Sequence, residues 1–403
     1  MAIKIVPFFS ALSPDGLRSQ VLDRIQQEGV RIVSSAEELA PKESVCIFIG
    51  TGGTENDVVE FLENARSASQ ITILSYDERN SLPASMEIRA YLQRRGVEAT
   101  IVHEPLNGLR ELLGRWVKCS QIIEHLKGSR LGLVGQSSSW LIASDVIRRK
   151  VAKKWGLEIV DIPIQELMDD LPETSNNGFK TRMDDFQSHA ICQSVSSADI
   201  GRAGAVAQRL AEIVNDAKLD AVTVQCFTLL QETGTSGCVA LSSVNDVRDL
   251  VAGCEGDIPA TFTMLLAKML TGLPSFMANV ASVDLELNTA VFAHCTVPLS
   301  MTEGYETTSH FETGKSVGIR GRLPLSEVTV FKVFGEDLGE HWVSSGTIIE
   351  NLVNESGCRT QIRVAMDEPV DYFLEESLAN HHIIILGDHV EVIAEFFEFL
   401  RRK

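Results

Sequence analysis

Four short β-rich runs, Ile3-Lys4-Ile5-Val6, Val45-Cys46-Ile47-Phe48-Ile49, Ile71-Thr72-Ile73-Leu74 and Ala99-Thr100-Ile101-Val102, alternate with stretches of helical period, including Asp57 to Ala68 and Pro83 to Arg94. A further helical stretch follows from Gly108 to Leu126. Antiparallel strands can be joined by a tight turn, whereas parallel strands need a crossover, usually a helix. The alternation therefore restricts this part of the chain to a parallel sheet wrapped by helices, a Rossmann-like α/β domain over 1–126.

A second α/β unit starts at Lys127-Gly128-Ser129, where Arg130-Leu131-Gly132-Leu133-Val134-Gly135 runs into Gln136-Ser137-Ser138-Ser139-Trp140. It continues through a strand Leu157 to Ile162, a helix from about Ala198 to Ala217, and strands at Asp220 to Cys226 and Cys238 to Leu241. The polar stretch Pro172 to Asp185 is rich in turn formers and reads as a surface loop. After Pro298 the pattern changes to short strands separated by turns, at Ser316–Ile319, Glu327–Val333, Gly346–Ile349 and Thr360–Val364. That is the pattern of an antiparallel, barrel-like β-domain. The expected division is thus 1–126, 127–298 and 299–403, the last closing with an apolar strand after Asn380-His381-His382 and an amphipathic helix from Val390 to Arg401.

A formal net charge of −19 argues against a nucleic-acid partner, because binding to phosphate backbones relies on clustered Lys and Arg. No apolar run approaches the roughly 20 residues of a membrane span, and no leader-like segment opens the sequence, so the expected location is the cytoplasm. The eight cysteines are scattered without a C-x-x-C pair, which reads as reduced thiols rather than a disulfide frame or a zinc site.

The richest chemistry lies in Cys254-Glu255-Gly256-Asp257-Ile258-Pro259, two carboxylates on a turn before the helix Ala260 to Leu273, whose one charged residue is Lys268. Acidic groups at the mouth of a buried helix are costly to desolvate unless a hydrogen bond or a cation compensates them. An N-cap needs one carboxylate, and this turn has two. Asp257 reads either as that cap or as a metal or acid–base residue, with Glu255 open to the same alternatives. Two loops offer polar groups to a ligand. Gly50-Thr51-Gly52-Gly53-Thr54 matches no phosphate-binding fingerprint and reads as a tight strand-end loop. In Gln136–Trp140, hydroxyls and an indole suit a polyol, and an N-cap serine with a packed tryptophan is the plainer reading.

Cys254-Glu255-Gly256-Asp257 with Ala260-Thr261-Phe262-Thr263-Met264-Leu265-Leu266, together with Asn380-His381-His382 and Leu386-Gly387-Asp388, resembles the L-fucose isomerase and L-arabinose isomerase superfamily, in particular its shorter fucose-isomerase-like members. The likeness extends to Arg130–Gly135 and Asp220–Cys226 and covers the C-terminal part of the chain. It implies an aldose–ketose isomerase with a divalent cation, usually Mn²⁺ with Mg²⁺ or Co²⁺ as alternatives, held by a Glu, an Asp and a C-terminal His. The matching positions are Asp257 and His381. The upstream Glu is Glu232, on a loop, with Glu255 as its substitute. Glu232, Asp257 and Glu255 are then the acid–base candidates for an enediolate reaction, and Ser138, Trp140, His294 and Asn380 the substrate contacts. His294 also reads as a core histidine with a satisfied ring, and His382 as a bystander on the opposite face of its strand. The resemblance further implies a homo-oligomer, a trimer or hexamer, in which a neighbouring subunit completes the site. The expected substrate is a deoxy-hexose, a pentose or a modified hexose, and a non-catalytic sugar binder or an epimerase of the same fold is the alternative.

Overall fold

In the computed structural model, which describes residues 2–39, 45–64, 71–169, 171, 176–247 and 250–402, the chain forms two units, one of Met1–His125 with Ala394–Lys403 and one of Leu126–Ile393. Among the described residues no helix is long and apolar enough to cross a membrane.

The first unit is built on β1 (Ile3–Phe8), β2 (Val30–Ile32), β3 (Val45–Ile49), β4 (Ile71–Ser75) and β5 (Ala99–His103), in the order β2-β1-β3-β4-β5 and parallel throughout. Every residue of β3 and β4 is buried, as continuous apolar strands must be when helices cover both faces of a sheet. The expected helices are found at Glu55–Asn64, Ser81–Arg94 and Leu106–Leu126, and positions 65–68 of the first lie outside the described residues. The Gly50–Thr54 segment is a tight turn after β3. Gly52 N–H donates to the Arg79 carbonyl at 2.8 Å and Tyr76 Oη donates to the Gly50 carbonyl at 2.9 Å.

The second unit contains β6 (Arg130–Val134), β7 (Glu158–Ile162), β8 (Cys192–Gln193), β9 (Ala221–Val224), β10 (Val251–Cys254), β11 (Ser275–Asp284), β12 (Thr289–His294), β13 (Gly304–Thr308), β14 (Gly318–Arg322), β15 (Glu327–Phe334), β16 (Glu340–Asn351), β17 (Thr360–Met366) and β18 (His382–Leu386). A parallel sheet has the order β10-β9-β6-β7, a closed barrel runs β11-β12-β17-β16-β15-β18, and β14-β13-β8 form a small third sheet. All the barrel pairings are antiparallel, and closure between β11 and β18 leaves no free edge. Phe276, Phe292, Val328, Val330, Ile348, Ile362, Val364 and Ile384 gather into one buried cluster.

Sheet and barrel are joined by the helix Ile258–Thr271, buried from Ile258 through Ala267 and packed on β10, β11 and β15. Its apolar surface runs all round because both neighbours demand it. Even its threonines are satisfied locally: Thr263 Oγ1 donates to the Pro259 carbonyl at 2.7 Å and accepts the Val333 N–H at 2.9 Å. Gly272 ends the helix at φ 73, a left-handed C-cap.

Three expectations need correction. Cys238 to Leu241 is not a strand but the start of the helix Cys238–Asn245, nearly every residue of which is buried; a four-residue apolar run does not distinguish the two by periodicity. The stretch expected as a loop up to Asp185 contains the helix Asn177–His189, and Asn176 is its N-cap, accepting from the N–H groups of Gly178 and Phe179. Residues 172–175 lie outside the described residues. The barrel also draws on β11 and β12, which precede Pro298.

Candidate active site

At the end of β10 the backbone makes two left-handed steps in succession, Glu255 at φ 64 and Gly256 at φ 68. The second must be glycine, since a Cβ there would lie 2.5 Å from the Gln136 carbonyl oxygen. The first costs a residue with a side chain about 1–2 kcal/mol. It is held by the loop after β6: Ser138 N–H donates to the Glu255 carbonyl at 2.8 Å and Ser137 Oγ to the Gly256 carbonyl at 2.8 Å. Gly256 N–H donates to the Val224 carbonyl of β9 at 3.0 Å. The twist parts the two carboxylates. Glu255 lines a cavity of about 540 Å³, and Asp257 enters the buried junction beneath it.

Asp257 is the N-cap of the helix, its Oδ1 accepting from Ala260 N–H at 2.9 Å. Its Oδ2 lies 2.8 Å from Nδ1 of His381, the residue just before β18. Both its oxygens are therefore engaged. The contact directs the other ring nitrogen of His381 toward Glu255, Nε2 standing 3.6 Å from Oε1. This Nε2 is buried and has no hydrogen-bond partner. A buried polar atom left in that state is costly, and a bound cation would relieve the cost.

His294, the last residue of β12, completes a cluster. Its Nε2 is 3.9 Å from Glu255 Oε1, and its Nδ1 is 3.0 Å from Thr296 Oγ1. Glu255, His294 and His381 each offer one ligand atom, all within 4.8 Å of one another, and all three residues are buried. Each is braced through its remaining polar atom, Glu255 by Trp140, whose Nε1 donates to Oε2 at 2.7 Å. Two imidazoles and a carboxylate with such outer partners fit a divalent transition metal, and the metal's identity is not fixed by them.

The electrostatics follow from crowding. Burial opposes the charged form of Asp257, but buried Lys332, His381 and the Ala260 N–H outweigh it and hold the carboxyl at about 2. Burial likewise opposes charging of His381, and the two carboxylates overcome it and raise the imidazole to about 9. Burial and the neighbouring His381 charge push His294 down to about 4. Glu255 is held below the usual carboxylate range: burial raises it, and His381, His294 and Trp140 more than offset that. A proton on His381 and a metal at the same nitrogen are alternatives, so metal binding there displaces that proton.

The rest of the lining includes apolar, thiol and amide groups such as Phe227, Cys226, Asn279 and Asn380, together with His310 and Glu312. Trp140 meets Phe227 edge-on, with ring centroids 4.8 Å apart. Among the described residues that line it there is neither Lys nor Arg.

The structure brings together Glu255, His294 and His381, with Asp257 behind His381 and Trp140 and Asn380 on the cavity wall. Asn380 donates through Nδ2 to Asn279 Oδ1. Ser138 touches the site through its backbone N–H, and its hydroxyl is buried. Glu232 is the exception. It lies not on a loop but in the last turn of the helix Cys226–Thr233, exposed and outside the cavity lining. A Thr/Gly sequence that reads as a loop is here a helix end closed by Gly234 at φ 70. His382 is buried, with Nε2 3.1 Å from Tyr372 Oη. Asn279 and the cysteines of the wall carried no signal in the sequence.

No family model matches the chain. It is 19% identical over 304 residues to the sulfoquinovose isomerase of Alkalicoccus urumqiensis, spanning 71% of this chain and 67% of that protein. To the sulfoquinovose isomerase of Priestia megaterium (strain ATCC 12872 / QMB1551) it is 19% identical over 307 residues, or 72% of this chain and 67% of the relative. A shorter match, 32% over 113 residues, covers 25% of this chain and 23% of the sulfoquinovose isomerase of Clostridium sp. (strain MSTE9).

Proposed function

We propose that this chain is a sugar aldose–ketose isomerase of the L-fucose and L-arabinose isomerase kind, dependent on a divalent cation at Glu255, His294 and His381. The observation that carries the reading is the unpartnered Nε2 of His381, buried and facing both other members of the cluster at the foot of a sugar-sized cavity. The likeness to proteins that isomerise a sugar supports the same reaction class.

Moving a carbonyl between C1 and C2 of an open-chain sugar means carrying a proton between adjacent carbons and stabilising an enediolate. When bound, a divalent ion supplies Lewis-acid polarisation and charge neutralisation for two neighbouring oxygens. The two imidazoles shift the preference from Mg²⁺ toward Mn²⁺ or Co²⁺. Asp257 fixes the His381 ring and its tautomer. The carboxylates that border the cavity are Glu255 and Glu312, so the proton transfer falls to this pair rather than to Glu232 or Asp257. Trp140 and Phe227 offer an apolar face to the sugar ring carbons, and Asn279 and Asn380 offer amides to its hydroxyls. With no Lys or Arg among the described residues that line it, the cavity offers no such partner to an anionic group on the sugar, which favours a neutral deoxy-hexose or pentose.

The protein is further proposed to act in the cytoplasm as a homo-oligomer, a trimer or hexamer in which a neighbouring subunit covers the site. A fully active monomer in analytical ultracentrifugation coupled to assay would remove that part of the proposal. The function itself is tested by stripping the metal, restoring Mn²⁺, and following ketose formation and deuterium uptake at C2 across a panel of neutral and anionic aldoses. Turnover indifferent to chelation, or no turnover on any aldose, would sink it.

A further inference from the structure

Five of the eight cysteines, Cys226, Cys238, Cys254, Cys295 and Cys358, line the cavity that holds Glu255, and none of the five is in a disulfide. Scattered in sequence, they are gathered by the fold: Cys254 ends β10, Cys226 opens the helix after β9, and Cys295 follows β12. Two of them are in contact. The thiol of Cys254 donates to Cys226 Sγ with the sulfurs 2.9 Å apart, and both residues are buried except where they face the cavity. β9 and β10 pair in parallel with Val224 opposite Cys254, so the two cysteines are anchored on adjacent strand ends and the backbone already holds them side by side.

We propose that Cys226 and Cys254 are an oxidation site, a thiol pair that hydrogen peroxide converts to a disulfide and that reduction restores. In the first step one sulfur attacks peroxide, the O–O bond breaks, and a sulfenic acid and water form. In the second, the other thiol attacks the sulfenic sulfur, the S–O bond breaks, the S–S bond forms, and a second water leaves. Two thiols lose two electrons and two protons, and one peroxide becomes two waters.

Each cysteine adjoins a residue that supports the candidate active site. Cys254 is bonded to Glu255, which is held in the left-handed region at φ 64. Cys226 is bonded to Phe227, the edge-on partner of Trp140, whose indole N–H holds Glu255 Oε2. A disulfide needs a sulfur separation of about 2.05 Å, so forming it draws both strand ends together and moves Glu255 from two sides. Small displacements of a reacting group are expensive, and the expected loss of isomerase activity is on the order of 10²-fold. This consequence for activity rests on the isomerase reading; the thiol assignment does not.

The test uses the full-length reduced protein, treated with hydrogen peroxide near stoichiometry, quenched with iodoacetamide and mapped by peptide mass spectrometry. The expected result is a mass lower by two hydrogens, two fewer alkylated cysteines, a Cys226–Cys254 cross-linked peptide, and activity that falls and returns with dithiothreitol. C192S, which removes an exposed cysteine outside the cavity, should respond like the natural chain, and C226S should yield no cross-link. If C226S does not fold, the map of the natural chain decides alone. A bond mapped to another pair, or oxidation confined to Cys192, would overturn the proposal, and a Cys226–Cys254 bond that leaves measured isomerase activity unchanged would overturn its consequence for activity. A mapped bond in a protein that isomerises no sugar would instead count against the function proposed above.

Discussion

Oδ2 of Asp257 lies 2.8 Å from Nδ1 of His381, and the partners are 124 positions apart in the sequence, a helix cap after β10 and the residue before β18. One carboxylate thus caps a helix and orients an imidazole. The two duties are separable by substitution. D257N keeps a capping oxygen, since Asn caps about as well as Asp, but loses the charge that holds the ring. It should still fold, with a Tm lowered by loss of the buried charge pair, and bind Mn²⁺ about 10- to 100-fold more weakly by isothermal titration. D257A should add a cap loss of about 1 kcal/mol, visible as a lower Tm. Equal metal affinity in D257N and the natural chain would contradict the orienting role.

Glu255 and Glu232 make a paired comparison. E255Q removes the buried carboxylate of the cluster and should lower kcat by about 10²- to 10⁴-fold, the range of a positioned acid–base group. E232Q changes an exposed helix end and should leave kcat/KM and Tm unaltered within error. A large loss in E232Q would return that residue to the ligand set.

Gly256→Ala combines a left-handed φ of 68 with a Cβ only 2.5 Å from the Gln136 carbonyl. The conformational cost is about 1–2 kcal/mol, to which the clash adds. Urea denaturation should show that loss, and activity should fall further than stability because the turn aims Glu255. An unchanged denaturation midpoint would contradict the described turn.

The pH dependence of the metal-free protein has a definite sign. His381 is raised from 6.5 to about 9, so its contribution to stability is complete below 6.5 and fades as pH climbs through 9. Asp257 is lowered from 3.8 to about 2, so its share is present above 3.8 and disappears as pH falls toward 2. The Tm difference between the natural chain and H381N, measured with chelator present, should be largest between about pH 4 and 6.5, decline through neutrality and be lost past pH 9. A difference that grows with rising pH would refute the charge state assigned to His381.

Much of the architecture is visible in the sequence because the helix Ile258–Thr271 is apolar over a long run, and because β3 and β4, though five residues each, recur in alternation with helical stretches. Short runs deceived. Cys238 to Leu241 suits a strand or a buried helix equally, and Asn176-Asn177-Gly178 looks like a loop although it caps and opens a helix. At the site, the Glu-Gly-Asp turn and the late His pair could be found because they combine charge with apolar surroundings. Which carboxylate faces the cavity could not, since that depends on two consecutive left-handed residues held by a loop far away in the sequence. His294 reads from the sequence as a substrate contact or a core histidine rather than a ligand for the same reason: its neighbours Glu255 and His381 adjoin β10 and β18, and no local pattern announces them.

β18 is the strand that closes the barrel, pairing with β11 on one side and β15 on the other, and His381 immediately precedes it. Until that final staple is in place, Glu255 and His294 have no third partner. Synthesis proceeds from the N-terminus, so a growing polypeptide holds only two of the three clustered side chains until residue 381 has been added. The complete cluster is thus a marker of a molecule whose last barrel seam has been sealed.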